Sequence, residues 1–359
     1  MKLNLRWLIL TLAMGVVTMV IWVAQAELSL GSRATVFIGG PQDWINSQPL
    51  SWDRLRGKVV LVDFWEYTCV NCIRTFPYLR AWYKRYRPYG FEIIGIHTPE
   101  FKFDESRDLV VTAVRREKLD WPILNDPERR NWEAYHEHYW PSKYIFDQEG
   151  RLVAQHAGEG RYQETELLIQ KLLHRTHPDA KFSKLLPAVR PGDREGAVCR
   201  IATPELYANP NYGFLEGLPA GWTTSKVAFL TDRRPHEESK IYAHGSFIPG
   251  SQSLQHGRTT NDLRDYVLIR YRASEVNVVL HPPTGRDYRV YAWLDNKPIP
   301  ASSWGDDIRY DNRGSYLAVA APRMYNAIRG AYGDHELKLS SDSPEFDLYS
   351  YTFNGCDQK

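Results

Sequence analysis

The sequence predicts two domains in series: an α/β domain over residues 30–175 and an all-β sandwich or jelly roll over 198–359, with a linker over 176–197. Three observations lead there. The chain has 359 residues, about twice the length one ordinary domain needs. Strand and helix patterns alternate up to residue 175, and helical periodicity fades after about residue 199. Between them Pro178, Pro187 and Pro191 break any long pattern.

The N-terminus is apolar and basic. Lys2 and Arg6 precede Trp7 to Val23, a stretch without a charge, and Ala24-Gln25-Ala26 has the small-x-small form of a signal peptidase site. Residues 1–26 are therefore expected to be a cleaved signal peptide or a retained N-terminal membrane anchor, which places the rest in the periplasm or another extracytoplasmic space. Disulfides are permitted there. The chain holds 45 basic and 43 acidic side chains, and 43 of each once residues 1–26 are set aside. Near-neutrality argues against a nucleic-acid partner, which needs a basic footprint.

In the first domain Lys58 to Phe64, "KVVLVDF", reads as a buried strand. Cys69-Val70-Asn71-Cys72 follows and opens a helical pattern with Ile73, Phe76 and Leu79 on one side. Phe91 to Ile96 is the next strand. Helical stretches near 105–119 and 128–138 lead to Pro141, and Lys143 to Asp147 pairs with Leu152 to His156 as a hairpin over the turn at Gln148 to Arg151. Gln163 to His174 closes the domain as an amphipathic helix. His136 and His138, two apart on the expected helix, face different ways and cannot pair as metal ligands.

Two cysteines three residues apart at a helix start carry the chemistry. Both sulfurs fall on one side, within reach of a disulfide whose Cα atoms lie about 5.5 Å apart. The exposed N–H groups of the first turn stabilise a thiolate at Cys69, which makes it the nucleophile; Cys72, one turn inside, resolves the mixed disulfide. A lone CxxC is also half of a zinc site, but Cys199 and Cys356 are isolated and remote, so neither a metal nor another cofactor is expected. His97, at a strand end, reads as a packing or capping residue with a site-edge role as the alternative. Glu66 reads as a solvated loop charge.

With these landmarks in order, the first domain resembles the thioredoxin superfamily: "VDFWEYTCVNC" parallels its strand and CxxC, Pro77 lies five residues past Cys72, and Trp140-Pro141-Ser142 parallels its cis-proline loop. The resemblance implies that Asp63 is a buried acid exchanging a proton with Cys72, that Pro141 holds a loop against the disulfide and presents backbone to an extended substrate, and that Trp65, Thr68 and Trp140 support the site or line its groove. Thr68 stands where the family usually has Trp, and Val70-Asn71 replace Gly-Pro, so the direction of exchange is not set by the motif. "GIHTPEF", "DWPILND" and "GEGRYQETELLIQKLL" are similar to blocks of the TlpA-related, DipZ-like branch. That resemblance implies an exported thiol:disulfide oxidoreductase, reducing rather than oxidising, with protein thiols and disulfides as partners. Electrons from the cytoplasm would need a separate membrane donor. A thiol peroxidase is a weaker reading, because the Pro and Thr that precede a peroxidatic cysteine are absent.

The second domain shows recurring strand patterns: "KIYAHGSFI", "YVLIRYRA", "EVNVVLHPP", "DYRVYAWLD", "GSYLAVAA", "HELKLSS" and "EFDLYSYTF". Cys199 and Cys356 bracket it, and in an oxidising compartment the economical reading is one structural disulfide, the alternative being two buried thiols. The domain resembles the carbohydrate-binding-module-like part of DipZ-like proteins. A glycan is thus a candidate ligand, with Trp222, Trp293 and Trp304 as stacking candidates that are more often core. The competing function is an envelope glycan- or protein-binding module on a redox-silent scaffold.

Overall fold

The structure, a computed structural model, describes residues 29–356. The first domain is built on a six-stranded sheet: β1 (Trp44–Ile45), β2 (Val59–Trp65), β3 (Phe91–His97), β4 (Ile123–Asn125), β5 (Ser142–Phe146) and β6 (Leu152–Ala157), in the order β1-β4-β3-β2-β5-β6. The β2–β3 and β3–β4 pairs are parallel; β2–β5, β5–β6 and β1–β4 are antiparallel. Helices α1 (Trp52–Leu55), α2 (Val70–Tyr86), α3 (Arg107–Arg116), α4 (Arg130–Ala134) and α5 (Tyr162–Leu173) complete it. Every residue of β2 is buried, so its alternation fills two cores. Val60, Val62 and Phe64 pack with Trp132 and Tyr144 on one face. Leu61 and Trp65 pack with Cys72, Phe76 and Leu79 of α2 and with Ile169 of α5 on the other. Each such side chain contributes about 1.5–3 kcal/mol. Asp63, between Leu61 and Trp65, is thereby carried to the α2 face.

The expected helix over 128–138 is shorter than its pattern: α4 stops at Ala134, and His136 adopts φ 53°. Both His136 and His138 lie past its end. The strands β1 and β4 were not legible, being two and three residues long.

The second domain comprises β7 (Leu206–Tyr207), β8 (Ala228–Leu230), β9 (Ile241–Pro249), β10 (Leu254–His256), β11 (Tyr266–His281), β12 (Tyr288–Leu294), β13 (Lys297–Pro298), β14 (Ile308–Asp311), β15 (Gly314–Val319), β16 (Arg323–Ser340) and β17 (Asp347–Asn354). They form one antiparallel hydrogen-bonded network. The runs "YVLIRYRA" and "EVNVVLHPP" are a single strand, β11, and "HELKLSS" is the end of the 18-residue β16. Irregularities between Ala273 and Glu275 and between Val276 and Asn277 let β11 bend. It pairs with β9 at one end, with β17 at the other and with β16 along its length. Because β10 bridges β9 and β17, the sheet curls around a core containing Val276, Val278, Tyr325 and Tyr351.

The outer face of β11 and β17 meets the first domain. Phe101 and Phe103, from the loop after β3, pack against Val279 and Tyr349, with ring centroids 5.0 and 4.8 Å from Tyr349. The Tyr207 hydroxyl donates to Glu100 Oε1 at 2.6 Å. On the far side of that contact Arg74 Nη2 reaches Glu275 Oε2 at 3.0 Å, both residues buried. Residues 176–197 run along the first domain. Phe182 packs edge-on to Tyr86 and Tyr89, Leu186 N donates to Glu166, and the Tyr78 hydroxyl accepts from Val189 N and donates to Asp193. No helix among the described residues is long and apolar enough to cross a membrane; the leader at residues 1–26 lies outside them.

Candidate active site

Cys69 is the N-cap residue of α2 and is disulfide-bonded to Cys72, their Cα atoms 5.3 Å apart. Cys69 is half-buried and Cys72 fully buried. The main-chain N–H of Cys72 donates to Cys69 Sγ at 3.1 Å, so a thiolate at Cys69 meets an orphan helix donor and the positive end of the helix dipole. One sulfur is thus accessible and electrostatically supported, while the other is enclosed.

Asp63 is 1% exposed on the same face of β2. Burial pushes its carboxyl up to about 7, against the pull of the Lys143 ammonium. Lys143 lies directly across in the antiparallel register of β2 and β5 and is itself buried. Burial drives its ammonium below the usual lysine range, with Asp63 the main opposing charge. Sequence reasoning missed Lys143. A lysine second in the run "SKYIF" is the visible signal, since a charge amid strand residues needs a counter-charge.

The Trp140–Pro141 peptide is cis, and Pro141 O accepts from Gly158 N at 2.7 Å. Trp140 is half-buried and packs on Trp132 at 4.2 Å, with the Arg129 guanidinium over both rings. Trp65 is wholly buried, edge-on to Phe76 and His97. Gly95, its neighbour on β3, has to be glycine: a Cβ there would come within 3.0 Å of Trp65 Nε1 and closer still to Ile123. His97 is wholly buried, stacked on Tyr67 at 5.4 Å, and burial pushes its imidazole down to about 3. Its burial among these rings favours the packing reading.

Glu66 is a correction. It is not a solvated loop charge but 0% exposed, accepting from Thr68 N at 2.7 and 2.8 Å and from Thr68 Oγ1 at 2.7 Å. It braces the turn that delivers Cys69. Burial lifts its carboxyl well above the usual range, and the nearby charges of Asp104 and Glu100 lift it further, while Thr68 opposes them. Burial likewise pushes Asp104 up to about 8. The solvated reading failed because the loop carrying Glu100 and Asp104, on which the second domain rests, covers this position.

Cys199 and Cys356 form a second disulfide and face each other across an isolated antiparallel bridge. Trp222 and Trp293 are half-buried and Trp304 is 37% exposed. No group of three or more metal-ligating side chains is present among the described residues.

Residues 32–155 match the AhpC/TSA family, and residues 220–354 match the thioredoxin-like C-terminal domain. The chain is similar to the protein DipZ of Mycobacterium bovis, 30% identical over 249 residues, covering 67% of this chain and 34% of that protein. It therefore spans about a third of the length of this relative. It is also similar to the thiol-disulfide oxidoreductase ResA of Bacillus subtilis, 26% identical over 133 residues, covering 37% of this chain and 70% of ResA. Among solved structures, the thioredoxin domain of a thiol-disulfide oxidoreductase from Bacteroides vulgatus aligns with 27% identity and a TM-score of 0.34, covering 40% of this chain and 99% of that one.

Proposed function

We propose, for a chain whose first domain belongs to the thioredoxin superfamily, a thiol:disulfide oxidoreductase that works through Cys69 and Cys72 on exported protein disulfides, in the reducing direction. One observation carries this reading: a half-buried sulfur at a helix N-cap, held 3.1 Å from a main-chain N–H and bonded to an enclosed partner. In the reduced enzyme the Cys69 thiolate attacks one sulfur of a substrate disulfide, forming the mixed disulfide and expelling the other substrate sulfur as a thiolate. Cys72 then loses its proton to Asp63 and attacks Cys69 Sγ. The second substrate sulfur leaves, and the enzyme ends in the disulfide form with two electrons passed to substrate. Pro141 and Trp140 border the groove in which the substrate main chain lies, and Trp65 and Thr68 hold the motif in place. Residues 1–26 export the chain or anchor it, and a separate membrane dithiol protein returns the electrons. A relative named as a thiol-disulfide oxidoreductase supports the chemistry, and the basic, apolar start of the sequence with Ala24-Gln25-Ala26 behind it supports the extracytoplasmic setting.

The test is to equilibrate the exported portion in graded dithiol buffers and to capture partners with Cys72→Ser. A reversible two-electron transition at Cys69 and Cys72, together with mixed disulfides to envelope proteins, is expected. Absence of both would leave the binding-module alternative, in which the second domain holds a glycan or protein and the first is inert. Peroxide consumption by the wild type would point instead to a thiol peroxidase.

A further inference from the structure

Between the two domains lies a cleft of about 690 Å³. One wall is α2: Val70, inside the CxxC, and Ile73, the residue whose N–H bonds Cys69 O, both line it. The facing wall is the outer surface of three adjacent strands, where Glu275 and Asn277 of β11, Asn326 of β16 and Asn354 of β17 stand side by side. Their neighbours Val276, Val278 and Tyr325 point into the sheet core, so alternation turns these four away from it.

A sheet face covered by another domain is ordinarily apolar, as this one is at its other end around Val279 and Tyr349. Here it is polar and buried: Asn277 is 0%, Asn326 5% and Glu275 7% exposed. The acceptors on this floor are occupied. Glu275 takes Arg74, Asn326 and Asn354; Asn277 Oδ1 takes Asn326 Nδ2 at 2.7 Å; Asn326 Oδ1 takes Asp306 N at 2.9 Å. What is left over is donors. Asn277 Nδ2 and Arg329 Nε are both buried and, among the described residues, without a partner, and both residues line the cleft. A buried donor left unpaired costs about 1–3 kcal/mol, so an occupant of this cleft has to bring acceptor oxygens.

We infer that the cleft holds an extended segment of the substrate polypeptide, whose main-chain carbonyls accept from Asn277 Nδ2 and Arg329 Nε while its disulfide reaches Cys69. The inference rests on the redox reading above and deepens it by giving the second domain a part in substrate binding. Continuity with the CxxC through Val70 favours a polypeptide. So does the lining itself, which among the described residues contains no Trp, Tyr or Phe to give a sugar ring a stacking platform.

The experiment compares reduction of insulin, a disulfide-bonded polypeptide, with reduction of the small disulfide 5,5′-dithiobis(2-nitrobenzoate) by the full exported portion. Asn277→Asp exchanges the free donor for an acceptor at nearly constant shape, and Arg329→Lys, at the cleft rim, keeps the charge and removes Nε. Each is expected to lower the ratio of kcat/KM for insulin to that for the small disulfide about fivefold or more, the loss of one hydrogen bond or a little over. Thiol-blocked insulin B chain is expected to compete with insulin, and chitohexaose is not. Ratios within about twofold of wild type in both variants overturn the inference, as does competition by chitohexaose without competition by the blocked chain. If the wild type reduces neither disulfide, the redox reading falls and takes this one with it; if it reduces only the small one, this inference alone falls.

Discussion

The two disulfides of this chain sit in opposite physical situations. Cys69–Cys72 closes a separation of three residues at a helix N-cap and against a packed core. Cys199–Cys356 closes a separation of 157 residues at the edge of a sheet, outside the apolar core. Closing so short a loop constrains the unfolded chain by about 2 kcal/mol, closing the long one by about 5 kcal/mol. The first bond therefore restrains the unfolded chain little, and it sits where a helix N-terminus and a main-chain N–H favour a thiolate. The second secures the end of a domain. Identical covalent chemistry is assigned to exchange in one place and to restraint in the other by loop length and surroundings.

The comparison breaks most sharply at the proposed nucleophile. Cys69→Ser is expected to lower disulfide exchange by at least about a thousandfold while leaving the fold intact, measured by thiol release from a small disulfide. The converse change, Cys199→Ser with Cys356→Ser, is expected to lower stability by up to about 5 kcal/mol in denaturant titration while exchange at the first pair persists. If that double variant unfolds no earlier than wild type, the restraint assigned to the second pair is wrong.

Smaller in effect is Asp63→Asn. Its carboxyl is raised to about 7 chiefly by burial, and in the proposed mechanism it serves as a base for Cys72 above that pH. Resolution of a mixed disulfide is expected to quicken in the wild type as pH rises through 7. In the variant it is slower by about a hundredfold and flat across that range, as stopped-flow detection of the released thiol would show. Stability carries the opposite sign. An acid whose folded pKa is raised favours the fold at low pH, so the wild type loses stability between pH 3.8 and about 7 and the variant does not.

Parts of this arrangement were open to the sequence and parts were not, for reasons that differ by residue. The CxxC, the strand ending in Trp65 and the loop at Pro141 are local patterns, readable because a few contiguous residues define them. Lys143 opposite Asp63 depends on an antiparallel register between strands about 80 residues apart, which no local pattern encodes. Arg74 with Glu275 spans 201 residues and exists only because two domains meet. Glu66 was misread for a related reason: a carboxylate in a loop is ordinarily solvated, and only the tertiary placement of Asp104 and Glu100 makes it otherwise. In the second domain individual strands were legible from alternation. Their fusion into long bent strands was not, because a bulge at Ala273 to Glu275 resembles a strand break when read as periodicity.

The smallest effect separates packing from chemistry behind the first disulfide. His97 packs on the rings of Trp65 and Tyr67, and both of its ring nitrogens are buried. A histidine whose folded pKa falls from 6.5 to about 3 stays neutral in the fold, while the unfolded chain takes up a proton below 6.5. Its stability contribution is complete above pH 6.5 and declines as pH falls toward 3, by about 1.4 kcal/mol per unit. His97→Phe keeps an aromatic ring between Trp65 and Tyr67 and removes the titration. The gap in stability between variant and wild type is expected to widen on acidification from pH 7 to 4, with the CxxC reduction potential unmoved. A potential that shifts at constant pH would instead make His97 part of the redox machinery, and the division between the packed support and the exchanging sulfurs would have to be redrawn one residue closer to β3.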